Sequence, residues 1–287
     1  GGVSLGTRST VGDYHYITVL AIEGDPEIAA AHRLTHPTIP CVCHFMTCQQ
    51  DTLDIIHDFL PSSLCERAWV HASPSCRLAS SLNIWRDEEQ AYEQTAWAIR
   101  LLQAIKPRCW TVEQSPMLYD RFAGQFPFVD NVQMSDYCEL PQRRLRLIIS
   151  NQPLTFTPRI KPSCTVRTAL SAHKRWAADE QRFIANSFQH LRSIDTLAFT
   201  ITSGGHYAGM RSGEPKRVHH QLDWADRACL QGVSDPLSTL QFAPRTLERH
   251  KRQIVANMVP PPFAQRLQQQ VQATHPSSGN PKLEHAL

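Results

Sequence analysis

Four side chains in this 287-residue sequence have the types and positions to do chemistry together. Cys76 closes the loop Ala72-Ser73-Pro74-Ser75-Cys76, just beyond the apolar, strand-type run Ala68-Trp69-Val70-His71. A cysteine at the carboxyl end of a strand stands where open α/β sheets bind ligands, and its thiolate is a candidate nucleophile. The alternative is a buried, inert thiol. Glu113 ends a second such run, Cys109-Trp110-Thr111-Val112. In a parallel sheet it would share a crevice with Cys76 and could hold or donate a proton to a substrate ring, although a helix cap or solvated carboxylate reads equally from the residue alone. Arg144 and Arg146 alternate on one face of the extended segment Gln142-Arg143-Arg144-Leu145-Arg146, where two guanidinium groups can grip a phosphate or a base carbonyl. A solvated edge strand carries the same pattern.

Elements must bring these groups together. Tyr16 to Ile22 reads as a buried strand ending in Glu23-Gly24-Asp25-Pro26. There Glu23 could bind ribose hydroxyls while Asp25 caps a helix opened by Pro26 and running from Glu27 to about His36. Val42 to Met46 suggests a strand, Asp51 to Phe59 a helix, and Asp87 to Ile105 a long amphipathic helix closed by Lys106-Pro107. Leu147 to Ser150 is a further strand. This alternation predicts a doubly wound α/β sheet with right-handed crossovers. From about Asn151 prolines and basic residues mark a separate module, with a helix over Trp176–Leu191 and a strand over Leu197–Thr202. Asp223 and Gly232 bracket a short helix, a final helix starts at Phe263, and the polar tail after Ala273 is expected to be flexible.

Composition narrows the class. The chain is 41% hydrophobic and 19% charged, enough for a substantial core, and its formal charge of +3 is compatible with a nucleic-acid partner. No apolar run is long enough for a membrane span and no signal peptide is visible. The nine cysteines form an odd set without a regular framework, which reads as reduced thiols of an intracellular protein with no metal site.

In this order the stretches resemble the cytosine-C5 DNA methyltransferase family. Ala72-Ser73-Pro74-Ser75-Cys76 is similar to its Pro-Pro-Cys loop and Val112-Glu113-Gln114 to Glu-Asn-Val. Gln142-Arg143-Arg144-Leu145-Arg146 matches Gln-x-Arg-x-Arg in full, and Arg252 to Pro261 resembles the last motif, usually written with Gly-Asn. Thr200 to Gly205 and Arg227 to Gly232 resemble the segments after the recognition region, and Gly1 to Gly6 the end of the glycine-rich cofactor loop.

The resemblance implies a Rossmann-like methyltransferase sheet over residues 1–150, completed by 249–273, with a smaller target-recognition domain over 151–248 and a tail over 274–287. It implies DNA cytosine-5 methylation with S-adenosylmethionine as cofactor, S-adenosylhomocysteine as product and double-stranded DNA as partner; a monomer is compatible with it. Cys76 would attack C6 of a flipped-out cytosine, Glu113 would contact N3 and the exocyclic amine, and Arg146 with Arg144 would fix O2. Gly1, Gly2, Leu5, Glu23, Asp51, Pro74 and Asn257 would bind the cofactor, and Ser80, Gln142, Arg143, Gly204 and Gly205 the DNA.

Three departures stand out. Ser75 replaces a proline, Gln114 replaces Asn, and Ala256 replaces Gly, which is tolerable only where no positive φ is needed. The family's first strand and cofactor-loop Phe are not in the sequence and are expected upstream. Two other readings stay open: a catalytically weak DNA-binding relative, and a tRNA cytosine-C5 methyltransferase, although Cys76-Arg77-Leu78 lacks that branch's Cys-Phe-Thr.

Overall fold

A computed structural model describes residues 18–76, 78–79, 85–158, 164–171, 183–187, 190–193, 195–201, 207–209 and 218–274. The first pair of strands, β1 (Ala21–Glu23) and β2 (Cys41–Cys43), is parallel and linked by helix α1 (Pro26–Thr35). Asp25 caps α1, its carboxylate accepting from the N–H groups of Glu27 and Ile28, with Pro26 at the first helical position. Helix α2 (Gln49–Phe59) leads to β3 (Trp69–Ala72). Helix α3 (Glu88–Ile105) is capped by Asp87 and ends at Lys106 in a left-handed conformation, φ 53°. It returns the chain to β4 (Cys109–Gln114), which lies parallel to β3 in the register Trp69–Cys109 to Ala72–Val112.

One later strand breaks the parallel pattern. β5 (Phe128–Gln133) and β6 (Leu145–Ser150) form an antiparallel pair, and β6 also runs antiparallel to β4, in the order β3-β4-β6-β5. The sheet is therefore mixed, with β6 running against both of its neighbours. The reversal has a direct consequence: the first residues of β6 lie beside the last of β4, with Glu113 opposite Ile148 and Gln114 opposite Leu147.

Side chains alternate across this sheet with the period of two that pleating demands. Val70, Ala72, Trp110, Val112, Leu147 and Ile149 join one apolar cluster with α3. Leu20 and Ile22 pack against the same cluster, so the two sheet pieces share one apolar layer. Trp69, Cys109, Ile148 and Val132 face the other way, where Phe263, Ala264 and Leu267 of the C-terminal helix cover them. Leu154 and Phe156 belong to this second cluster, so the sheet domain's core extends past the change of texture at Asn151.

In the second module, α4 (Val166–Ser171) precedes an antiparallel sheet of β7 (Phe183–Ser187), β8 (His190–Ser193), β9 (Tyr207–Gly209) and β10 (Val218–Gln221), ordered β10-β9-β7-β8. The helix expected over residues 176–191 is thus replaced, among the described residues, by β7 and the start of β8; cross-strand pairing outweighs local helix propensity. Residues 197–201 form no strand but a single bridge, Ala198 to Gln142. Helix α5 (Trp224–Leu230) has a capping box between Asp223 and Asp226. Helices α6 (Glu248–Asn257) and α7 (Pro261–Ala273) return the chain to the sheet. No helix among the described residues is long and apolar enough to cross a membrane.

Candidate active site

The carboxyl end of β4 presents Glu113, whose side chain is 4% exposed. Burying a carboxylate is costly unless it is paired, and here it has three partners. Because β6 runs antiparallel, its start and the residue before it supply two: Arg146 Nε at 3.1 Å and Arg144 Nη2 at 3.5 Å, both from Oε1. The third is Ser73, directly after β3, whose hydroxyl donates to Oε2 at 3.3 Å. Arg144 is itself buried; burial and the neighbouring Arg146 lower its pKa to about 10, against the opposing pull of Glu113 and Cys76. Cys76 is thus within electrostatic reach of the cluster, half-buried three residues beyond Ser73. Cys76, Glu113, Arg144 and Arg146, picked from separate stretches of sequence, come together at the end of the sheet where β3 and β4 finish and β6 begins.

The loop carrying Cys76 is tied down at both ends. At its start is the Ser73–Glu113 bond; beyond Cys76, Ser115 Oγ donates to the carbonyl of Ala79 at 2.7 Å. Gln114, fully buried, donates to Thr95 Oγ1 on α3 at 3.0 Å, and its carbonyl oxygen accepts from the N–H of Ser115 at 2.8 Å. His71 lies one pleat behind Glu113. Its Nδ1 is 2.8 Å from Thr111 Oγ1, which also accepts from the Trp69 indole, and burial lowers its pKa to about 4 against the pull of Glu113. A histidine of that pKa is neutral at pH 7.

Other expected site residues are more widely placed. Glu23 is half-buried at the end of β1. Beside it the ring of Phe45, 75% exposed, approaches so closely that a Cβ on Gly24 would stand 3.2 Å from it. Phe45 belongs to the loop after β2, anchored to α2 through His44 and Thr52. A carboxylate beside an open aromatic face, at the carboxyl ends of two parallel strands, suits a nucleoside. Sequence reasoning passed over Phe45, although a lone aromatic after a strand was the available signal. Asp51 is exposed in the first turn of α2, and Pro74 is half-buried in the Cys76 loop. Asn257, exposed at the end of α6, follows Ala256, whose carbonyl accepts from Arg144 Nη1 at 3.4 Å. Gly1, Gly2, Leu5, Ser80, Gly204 and Gly205 lie outside the described residues.

Gln142 needs correction as a DNA contact. It is 0% exposed, and its amide is saturated by protein: Nε2 donates to Leu230 O at 2.9 Å and Gln231 Oε1 at 2.7 Å, while Oε1 accepts from Ile201 N at 2.8 Å. It joins the sheet domain to the second module. Its neighbour Arg143 is exposed. Among the described residues no group of three or more His, Cys, Asp or Glu side chains could hold a metal ion.

No protein-family model and no curated protein sequence matches the chain. Solved structures do. A protein assigned as a DNA modification methyltransferase encoded within a prophage (E. coli) superposes with a TM-score of 0.62 at 14% identity, covering 96% of each chain. The Entamoeba histolytica methyltransferase EhMeth gives 0.62 at 10% identity over 96% of each chain. A mutant of Spodoptera frugiperda DNMT2 gives 0.56 at 10% identity over 88% of this chain and 92% of its own. The chain has the fold of these methyltransferases. That fold agrees with the Rossmann-like α/β architecture expected from the motifs.

Proposed function

We propose that the protein is an S-adenosylmethionine-dependent methyltransferase that methylates C5 of cytosine in DNA through a covalent adduct with Cys76. The observation that carries this reading is the meeting of the Cys76 loop with a buried Glu113 held by two arginines at the start of the central strand β6. An addition to an aromatic pyrimidine needs a nucleophile and groups that stabilise the charge developing on the ring. Cys76 supplies the first: its Sγ adds to C6 and makes C5 electron-rich. Glu113 meets the N3 and amine edge, and Arg146, backed by Arg144, fixes O2. C5 would then take the methyl carbon from the bound cofactor's sulfonium, which would be left as the thioether; passage of the C5 proton to water and departure of Cys76 Sγ as the thiolate restore the ring. Glu23 and Phe45 fit the adenosine half of the cofactor, which supplies the electrophilic methyl group, and Asn257 and Pro74 lie on segments bordering the catalytic cluster. A base within a duplex is out of reach of Cys76, so the cytosine must be flipped out at a cost of a few kcal/mol, roughly. Exposed Arg143 and the second module would hold the nucleic acid.

The test is transfer of labelled methyl groups from S-adenosylmethionine to double-stranded DNA and to tRNA, with Cys76→Ala alongside. Label on DNA that disappears in the variant is the expected result. Label on tRNA alone would transfer the reading to RNA, and label on neither would overturn it.

A further inference from the structure

We propose that Ser73 touches the target base, its Oγ accepting a hydrogen bond from the exocyclic amine of the pyrimidine while it donates to Glu113 Oε2. The inference rests on the reading above, that the site takes a flipped cytosine, and adds a residue to it. Its basis is which oxygen of Glu113 is accessible, and past what. Oε1 is occupied by Arg146 at 3.1 Å and Arg144 at 3.5 Å, both largely buried, so that side of the carboxylate is closed. Oε2 is on the side of the Cys76 loop, because its partner Ser73 lies three residues before Cys76. The carboxylate is 4% exposed, whereas Ser73 is an exposed residue. A ring entering between Cys76 and Glu113 therefore meets the Ser73 hydroxyl alongside the carboxylate.

The hydroxyl's bonding capacity then sets what it can recognise. A serine hydroxyl carries one hydrogen and two acceptor lone pairs. The hydrogen is committed to Glu113 Oε2, at 3.3 Å, so the lone pairs are what Ser73 offers outward. They match an amine, as at C4 of cytosine, and not a carbonyl, as at C4 of uracil or thymine. A site whose polar groups are already oriented discriminates strongly against a substrate that leaves them without a partner. Ser73 and Glu113 thus act as a joint acceptor for the amine, with Ser73 directly following β3 and Glu113 closing the parallel neighbour β4.

The test compares duplexes carrying cytosine or 2-pyrimidinone, which lacks the amine, at the target position found by mapping methylcytosines made by the wild type. Dissociation constants are measured in the Cys76→Ala background, where binding to both duplexes is non-covalent. Adding Ser73→Ala should weaken binding of the cytosine duplex about tenfold more than that of the pyrimidinone duplex, the difference being the worth of one hydrogen bond. Adding Ser73→Thr, which restores the hydroxyl, should bind both duplexes as the background does, and thermal unfolding should show all variants folded. Equal weakening on both duplexes would mean that Ser73 only orients Glu113, and no weakening on either would mean that it does not contact the base; each overturns the inference. A wild type that methylates no cytosine would instead overturn the underlying reading, and the inference with it.

Discussion

Replacing Glu113 by Gln is the sharpest probe of the buried cluster, because it removes the only carboxylate paired with Arg144 and Arg146 among the described residues while keeping size and shape. Arg144 and Arg146 are 3% and 13% exposed, so neither has bulk water to replace the lost charge. Removing one partner of a buried ion pair costs about 3–5 kcal/mol. The glutamine oxygen can still face Arg146, which places this change at the lower end, about 3 kcal/mol. For a chain of this size that corresponds to a fall in Tm of roughly 5 °C. Arg144→Met alone leaves Glu113 with Arg146 and Ser73 and should cost less, about 2 kcal/mol. The combination is the decisive measurement. In Glu113→Gln, Arg144 is a buried charge without a counter-charge, so removing it brings relief. The double variant should be about 2 kcal/mol more stable than the sum of the single losses. Urea unfolding of the four proteins closes the cycle. A Glu113→Gln cost below about 1 kcal/mol, or additivity within about 0.5 kcal/mol, would show that the cluster is hydrated and that burial does not hold the carboxylate in place.

Gly232 has φ +82°, and a Cβ there would stand 2.6 Å from Cγ of Pro262. Gly232→Ala should therefore cost about 3 kcal/mol by thermal unfolding, and a loss below about 1 kcal/mol would refute the clash. His71, with its pKa lowered from 6.5 to about 4, binds its proton later in the folded state than in the unfolded one. Stability should be unaffected by this group above pH 6.5 and fall as pH drops from 6.5 to 4, by about 3 kcal/mol in all. His32, lowered to about 3, adds a loss of the same sign that continues to lower pH. His71→Gln should flatten its share of the slope in urea titrations at pH 7, 5 and 4, and an unchanged slope would assign the acid sensitivity elsewhere. Gln142→Leu strands Ile201 N and the groups of Leu230 and Gln231 in the interior and should cost about 3 kcal/mol of stability. Arg143→Ala, on the exposed neighbour, should leave stability within about 0.5 kcal/mol while weakening nucleic-acid binding and reducing its salt dependence; the opposite pattern would restore Gln142 as the nucleic-acid contact.

What could be read in advance was what is decided locally. The caps at Asp25 and Asp223 need only a short polar side chain before a helix, and Gly232 needs only a position where a side chain is excluded. Cys76 and Glu113 stood out because each follows a β-branched or aromatic run, and strand ends are where sheets expose chemistry. The arginines' alternation was also legible, but not why they meet Glu113. That depends on β6 running antiparallel to β4, a long-range pairing that no local pattern in Leu145–Ser150 announces. The same limit explains residues 176–191, where a helical reading gave way to β7 and the start of β8, and Gln142, which the resemblance assigned to the DNA and whose partners lie 88 and 89 residues away.

The departures from the family's motifs are the places where sequence reasoning raised a doubt that packing answers. Gln114 is one carbon longer than the usual Asn, and that reach spans to Thr95 on α3 while its carbonyl oxygen turns back to the N–H of Ser115. Ser115 then holds the Ala79 carbonyl, so the longer side chain anchors the loop after β4 that in turn holds the far side of the Cys76 loop. Ala256 replaces a glycine, and the question was whether its backbone needs a positive φ. It lies inside α6, and among described non-glycine residues only Lys106 has a positive φ, so alanine is unstrained there. Its carbonyl remains available to Arg144. Ser75 substitutes for the proline that would stiffen the nucleophile loop, and the tethers of Ser73 to Glu113 and Ser115 to Ala79 restrain the loop from both sides instead. Rigidity that the family motif places in a proline ring is here supplied by two hydroxyl groups. Loss of either serine should therefore loosen Cys76 more than the exposure of the loop alone suggests.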